Sequence, residues 1–139
     1  MNPYLKNLRK IEFVITCACT GQCRHCSQGE HSGAGEHIDP DIAARAVKQI
    51  ASVYAIETVL AFGGEPLLYP DAVCAIMAAG TEMQIPHRQV ITNGYFTKDP
   101  HAAEDVAARL AVCGHIRAVL DRSVLFRGED SCGLTQSMI

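Results

Sequence analysis

The chain has 139 residues, 48% of them hydrophobic, and a formal net charge of -3, which is the composition of one globular domain. Its basic residues are scattered, its apolar runs are too short to cross a membrane, and its first residues do not resemble a signal peptide. We therefore expect a cytoplasmic protein with reduced cysteines and no membrane partner, and the charge gives no reason to expect nucleic acid as a partner. Seven cysteines suit a disulfide framework poorly.

Short apolar runs alternate with amphipathic segments along the chain. The first run, IEFVI at 11–15, is rich in β-branched and aromatic residues and predicts a strand. Asp39-Pro40 and Asp99-Pro100 each place a capping residue before a first-turn proline, which predicts that helices begin there. The full prediction is four strands at 11–15, 57–62, 88–92 and 115–121, and three helices at 40–54, 71–84 and 100–112.

This order predicts an α/β fold with a parallel sheet, because alternating strands and helices join by crossover connections. The unusual sequences follow the first three strands: a cysteine-rich loop at 16–26, GGEP at 63–66 and TNG at 92–94. In parallel sheets and barrels, the loops after the strands lie at one edge and carry the chemistry. We therefore expect these three loops to meet.

Four cysteines lie within TCACTGQCRHC at 16–26, and three of them have the spacing C-x3-C-x2-C. Thiolates so spaced suit zinc or an iron–sulfur cluster. A structural zinc site usually has a second ligand pair, and a ferredoxin cluster has four cysteines, whereas three cysteines would leave one iron open for catalysis. Cys17 is either a fourth ligand or a residue that packs at the strand end, and Cys74 and Cys113 are expected to pack on helix faces.

The GGEP sequence allows two interpretations. A glycine pair at a strand end lets a ligand approach the backbone closely, and Glu65 supplies a carboxylate that suits a ligand ammonium group. An ordinary turn between strand and helix is the alternative, since glycine and proline are common there. On these residues alone, neither interpretation is preferred.

These motifs together resemble the radical S-adenosylmethionine (radical SAM) superfamily. CTGQCRHC at 19–26 matches its C-x3-C-x-aromatic-C motif, with His25 in the aromatic position, and GGEP matches its motif after the second strand. ITNG at 91–94 is similar to the end of its third strand. The resemblance extends from residue 11 to about 121 and implies part of a TIM-type barrel built from about four strands and three helices.

The resemblance implies an enzyme that holds a [4Fe–4S] cluster on Cys19, Cys23 and Cys26, with S-adenosylmethionine on the fourth iron. An electron from a donor such as a flavodoxin or ferredoxin would cleave S-adenosylmethionine to methionine and a 5′-deoxyadenosyl radical. That radical would abstract hydrogen from a substrate that the sequence does not identify. No catalytic residue is assigned, and the residues expected to contact S-adenosylmethionine are Gly63, Gly64, Glu65, Pro66, His25 and Asn93.

The alternating pattern stops after residue 121. We expect 1–121 to be the N-terminal part of a radical SAM core domain and 122–139 to be an unpatterned tail of a truncated or frame-shifted chain. Where the family often has Ser-x-Asp on strand four, this chain has Val119 and Asp121, so only the aspartate matches. The alternatives are therefore an iron–sulfur or zinc module for electron transfer, and a truncated relative without activity.

Overall fold

The structure is a computed structural model, and it describes residues 7–21, 23, 26, 35–120 and 136–137. Strands and helices alternate as β1 (Lys10–Val14), α1 (Pro40–Ala51), β2 (Thr58–Phe62), α2 (Pro70–Glu82), β3 (His87–Thr92), α3 (Pro100–Val112) and β4 (Arg117–Leu120), followed by β5 (Gln136–Ser137). A 3-10 turn, Pro66–Leu68, lies between β2 and α2. The predicted α/β repeat of four strands and three helices is confirmed.

The strands form one sheet in the order β1-β2-β3-β4-β5. The first four are parallel: Ile11 pairs with Val59, and Val90 pairs with Ala118. The strands lie in the sheet in the same order as in the chain. Connections from one parallel strand through a helix to the next are right-handed as a rule, so the three helices are expected on one face of the sheet. This is the arrangement of consecutive units of a βα barrel, and it brings the C-terminal ends of β1 to β4 to one edge.

One hydrophobic core joins the helices to the sheet. In β1, Ile11 and Phe13 are buried while their neighbours are exposed, so one face of this strand packs on the core. In α2, Val73, Ile76 and Met77 are fully buried on the predicted face. Each such side chain contributes about 1.5–3 kcal/mol through burial, so α2 is the helix that holds the layers together.

The helices differ from their predicted lengths and faces in a few places. α1 ends at Ala51 instead of 54, because Ser52 caps the helix, although Tyr54 still packs on the core. α3 has the predicted bounds, but Val106 is its one buried residue and Ala107 is exposed. Across the described residues, no helix has the length and apolar character needed to cross a membrane.

The tail contributes one short element. β5 pairs antiparallel with β4, with Val119 opposite Ser137. Residues 121–135 lie outside the described part of the chain, and the predicted domain boundary at 121 and the predicted truncation stay predictions.

Candidate functional site

The loops after β1 and β2 run side by side at the C-terminal edge of the sheet. The Gly64 N–H donates to the Thr16 carbonyl at 2.8 Å, and the Glu65 N–H donates to the Ala18 carbonyl at 2.8 Å. These bonds continue the parallel pairing of the two strands beyond their ends. The GGEP loop therefore lies directly against the beginning of the cysteine loop.

The glycine pair is required by this close approach. Gly63 has a φ of +137°, and a Cβ on it would lie 2.5 Å from the Thr16 carbonyl oxygen. A Cβ on Gly64 would lie 2.0 Å from the Ala18 carbonyl oxygen. The absence of a Cβ thus lets the backbone of the cysteine loop approach the glycines closely. The sequence had indicated such an approach for a ligand.

The connection between β1 and α1, which includes the cysteine loop, is anchored at both ends. At its beginning, the Thr16 hydroxyl donates to the Glu36 carbonyl at 2.9 Å. At its end, the Tyr69 hydroxyl donates to the Gly35 carbonyl at 2.9 Å, and the Tyr69 ring stacks on His37 with 4.2 Å between the centroids. The segment that carries the predicted ligands is therefore held from both sides.

The three predicted ligands are half-buried thiols that interact with one another. Burial raises the pKa of the Cys19 thiol, the Gly21 N–H at 3.3 Å from its Sγ lowers it, and the charges of Glu65, Cys23 and Cys26 raise it further. Cys23 and Cys26 are thus close enough to act electrostatically on Cys19. That the three cysteines together hold a metal stays a prediction.

The chemistry of these donors suits an iron–sulfur cluster. Among the described residues, no three side chains of cysteine, histidine, aspartate or glutamate converge on a position for a single metal ion. A cation reverses the effect of neighbouring negative charges on a thiol and favours its ionised form. Three soft thiolates, one of them with an N–H donor at its sulfur, are suitable ligands for iron.

Glu65 is fully buried, with 0% of its surface exposed. Its Oε1 accepts from the Thr92 hydroxyl at 2.7 Å and from the Leu67 N–H at 3.0 Å, and its Oε2 accepts from the Asn93 N–H at 2.7 Å. Burial raises the pKa of this carboxyl group, and the three hydrogen bonds oppose the rise. The carboxylate therefore ties the GGEP loop to the end of β3.

The residues predicted to contact S-adenosylmethionine differ in exposure. Gly63 and Gly64 are half-exposed, whereas Glu65 and Pro66 are buried. The backbone of the glycine pair is thus the accessible part of GGEP. Direct contact of a ligand with Glu65 or Pro66 stays a prediction, and His25 lies outside the described residues.

Asn93 contacts the cysteine loop, which the sequence did not indicate. Its Nδ2 lies 3.1 Å from the Thr20 hydroxyl oxygen and 3.7 Å from Cys19 Sγ. Its Oδ1 accepts from the Tyr95 N–H at 2.7 Å. The Asn-Gly pair at the strand end predicts a turn, but no local pattern shows which loop the side chain meets.

Two expectations for the other cysteines are resolved. The expected packing of Cys17 is wrong: Cys17 is exposed, because the neighbouring Ala18 takes the buried position. Cys74 and Cys113 are half-buried and their thiols interact between α2 and α3, where burial raises the pKa of Cys74 to about 11. Cys132 lies outside the described residues.

Comparison with known proteins agrees with the motifs. The model of the radical SAM superfamily matches residues 13–124, most of the chain. No curated protein matches the chain. The matched span runs from the end of β1 through β4 and includes the three loops after β1, β2 and β3, nearly the same part of the chain that carries the resemblance.

Proposed function

The chain belongs to the radical SAM superfamily, and we propose that it is a radical SAM enzyme core that binds a [4Fe–4S] cluster and S-adenosylmethionine. The observation that carries this proposal is the pairing of the GGEP loop with the cysteine loop. Two backbone bonds, from Gly64 to Thr16 and from Glu65 to Ala18, hold the glycine pair beside the first predicted ligand. An electron carrier or a structural metal site has no need of that second loop.

We assign the cluster to Cys19, Cys23 and Cys26. The charges of Cys23 and Cys26 act on the Cys19 thiol, and the connection between β1 and α1 that carries the three cysteines is anchored at both ends. When bound, the cluster supplies the electron that cleaves the sulfonium C–S bond of S-adenosylmethionine into methionine and a 5′-deoxyadenosyl radical. The radical takes a hydrogen atom from a substrate whose identity is open.

We assign the methionyl end of S-adenosylmethionine to the glycine pair. Gly63 and Gly64 are the accessible members of GGEP, and the buried Glu65 follows them directly in the chain. A ligand ammonium at this place is attracted by the carboxylate, because the charge of Glu65 is little screened by water. His25, in the aromatic position of the cysteine motif, is proposed to lie beside the adenine.

The proposed chemistry needs a partner that delivers single electrons. We propose a flavodoxin or ferredoxin in the cytoplasm, where thiols stay reduced. The predicted ligands are half-exposed, so a cluster held by them lies within reach of the surface. Such a donor docks transiently, as electron-transfer partners generally do.

Anaerobic reconstitution with iron and sulfide tests the proposal. We expect a cluster with an EPR signal after dithionite reduction, a change of that signal when S-adenosylmethionine is added, and release of 5′-deoxyadenosine. A cluster that ignores S-adenosylmethionine would instead support the electron-transfer module. Cluster binding without 5′-deoxyadenosine, despite a response to S-adenosylmethionine, would support a truncated relative without activity.

Cysteine variants provide matched controls. Serine at position 19, 23 or 26 should abolish the cluster signal, whereas Cys74→Ser should leave it unchanged, because Cys74 is equally half-buried but lies in α2. Cys17→Ser separates the two binding modes. Because Cys17 is exposed and two residues from Cys19, it is free to serve as the fourth ligand of a closed site, and loss of the cluster in this variant would favour the electron-transfer module.

A further inference from the structure

We infer that Asn93 is a positioning residue that raises the reduction potential of the cluster by donating a side-chain N–H to the sulfur of Cys19. This inference rests on the proposed function. The Asn93 Nδ2 lies 3.7 Å from Cys19 Sγ, within hydrogen-bonding range for a sulfur acceptor. Asn93 acts through the ligand sulfur, a role separate from the cofactor contact predicted for it.

The orientation of the Asn93 amide follows from its neighbours. Its Oδ1 accepts from the backbone N–H of Tyr95 at 2.7 Å, and a backbone N–H is always a donor. The NH2 group must therefore point the other way, where its two hydrogens meet Thr20 Oγ1 at 3.1 Å and Cys19 Sγ. The bond from Tyr95 thus fixes the direction of the NH2 group independently of Thr20.

The main chain of Asn93 is held equally firmly. Its N–H donates to Glu65 Oε2 at 2.7 Å, and that carboxylate is fully buried and bonded to Thr92 and Leu67 as well. A hydrogen-bond chain thus runs from the GGEP loop through Asn93 to the cysteine loop. It fixes the donor before any electron arrives, so reduction of the cluster would require little rearrangement here.

The sign of the effect follows from charge. Reduction adds an electron, and part of the added negative charge resides on the ligand sulfurs. An N–H donor stabilises the more negative state, and hydrogen bonds to sulfur are among the factors that set iron–sulfur potentials. The Gly21 N–H, at 3.3 Å from Cys19 Sγ, acts in the same sense but belongs to the backbone. Asn93 is the donor that a substitution can remove.

A redox titration of the reconstituted protein, followed by EPR, tests the inference. The bond exists in both oxidation states and strengthens on reduction, so its full worth of about 1.4 kcal/mol sets the upper limit: Asn93→Ala should lower the equilibrium constant for one-electron reduction by up to about tenfold, a fall of up to about 59 mV. Asn93→Asp keeps an oxygen for the Tyr95 N–H but puts a carboxylate oxygen where the NH2 was. It should lower the potential by more than Asn93→Ala, and it decides the matter if Asn93→Ala does not fold.

Thr20→Val is the control, because it removes the other acceptor of the Asn93 NH2 group and leaves the N–H to Cys19. The inference predicts less than about a twofold change in the same constant, well below the effect of one hydrogen bond. An unchanged potential in both Asn93 variants, or an equal shift in Thr20→Val, would overturn it. If the unaltered protein binds no cluster, the proposed function fails first, so the two failures are distinguishable.

Discussion

Glu65 shows how one buried carboxylate positions two loops. It accepts hydrogen bonds from Thr92, Leu67 and Asn93 and has no exposed surface. In Glu65→Gln, an amide NH2 must face one of these three donors, so at least one buried bond is lost. We expect the free energy of unfolding to fall by about 1–3 kcal/mol in urea titrations of the cluster-free protein.

The same variant should also change the dependence of stability on pH. Burial raises the pKa of Glu65 in the folded protein, so the folded state holds this proton more tightly than the unfolded chain does. The proton on Glu65 therefore stabilises the fold fully at a pH below the pKa of Glu65 in the unfolded chain. This stabilisation is lost as the pH rises through the pKa of Glu65 in the folded protein. Because glutamine does not titrate, we expect the advantage of the unaltered protein over Glu65→Gln, measured by urea titration, to be larger in acid than at neutral pH.

Glu57→Gln is the matched control for this prediction. Glu57 pairs with Arg9 on the surface, with 51% of its side chain exposed, and exposed ion pairs contribute at most about 1 kcal/mol. Equal losses of stability in the two variants would contradict the role given to Glu65.

For single residues, the sequence indicated which ones are unusual but not which residues they contact. The glycine pair and Glu65 were recognised as unusual from their position after a strand. The bonds that define Glu65, from Thr92 and Asn93, and the contact of Asn93 with Cys19 join residues 27 to 74 positions apart. No local periodicity encodes such contacts, since they depend on how three separate loops end.

The helices differ most in how strongly they are held. Both Asp-Pro starts were predicted correctly: Asp39 accepts from the Ile42 N–H at 2.9 Å, and Asp99 accepts from the His101 N–H at 3.0 Å. α2 buries six residues, whereas α3 buries Val106 alone. From the sequence, α3 seemed as amphipathic as α2. Its apolar face consists largely of alanines, whose small side chains bury little surface.

α3 should therefore open on its own in hydrogen-exchange experiments. Local opening of a weakly packed helix costs less than global unfolding, so its stability depends strongly on its cap. Asp99→Ala removes that cap, which is worth about 1 kcal/mol, and should speed amide exchange in α3 about fivefold while α2 is unaffected.

Asp39→Ala removes the equivalent cap of α1, which buries Ala43 and Val47. It should speed exchange in α1 and leave α3 unchanged. If Asp99→Ala speeds exchange equally in all three helices, α3 does not open separately and the prediction is wrong.

For the whole molecule, the alternation of elements was readable because each strand and helix has its own local period. The parallel register then follows from the crossovers, and the meeting of the three loops follows from the register. β5 was not predictable: it has two residues, and its pairing with β4 depends on the course of the chain between them. The strand order therefore forms the site, because β1, β2 and β3 are neighbours and each is followed by one of its loops.

A cluster on the first loop should therefore stabilise the entire sheet. A ligand that binds only the folded state raises the free energy of unfolding by about 2.7 kcal/mol at a hundredfold excess over its Kd. For a domain of this size such a gain raises the Tm by roughly 10 °C. Anaerobic thermal melts before and after reconstitution should show this rise, and chelation of the iron should reverse it.

The cysteine variants show whether the stabilisation comes from the proposed site. Cys19→Ser should bind no cluster and show no rise, whereas Cys74→Ser should keep the rise. The Tm change depends on the bonds that join the cysteine loop to its neighbours, from Gly64 to Thr16 and from Asn93 to Thr20. A cluster that binds without changing the Tm would mean that the cysteine loop opens without the sheet, and the anchoring of that loop described above would be wrong.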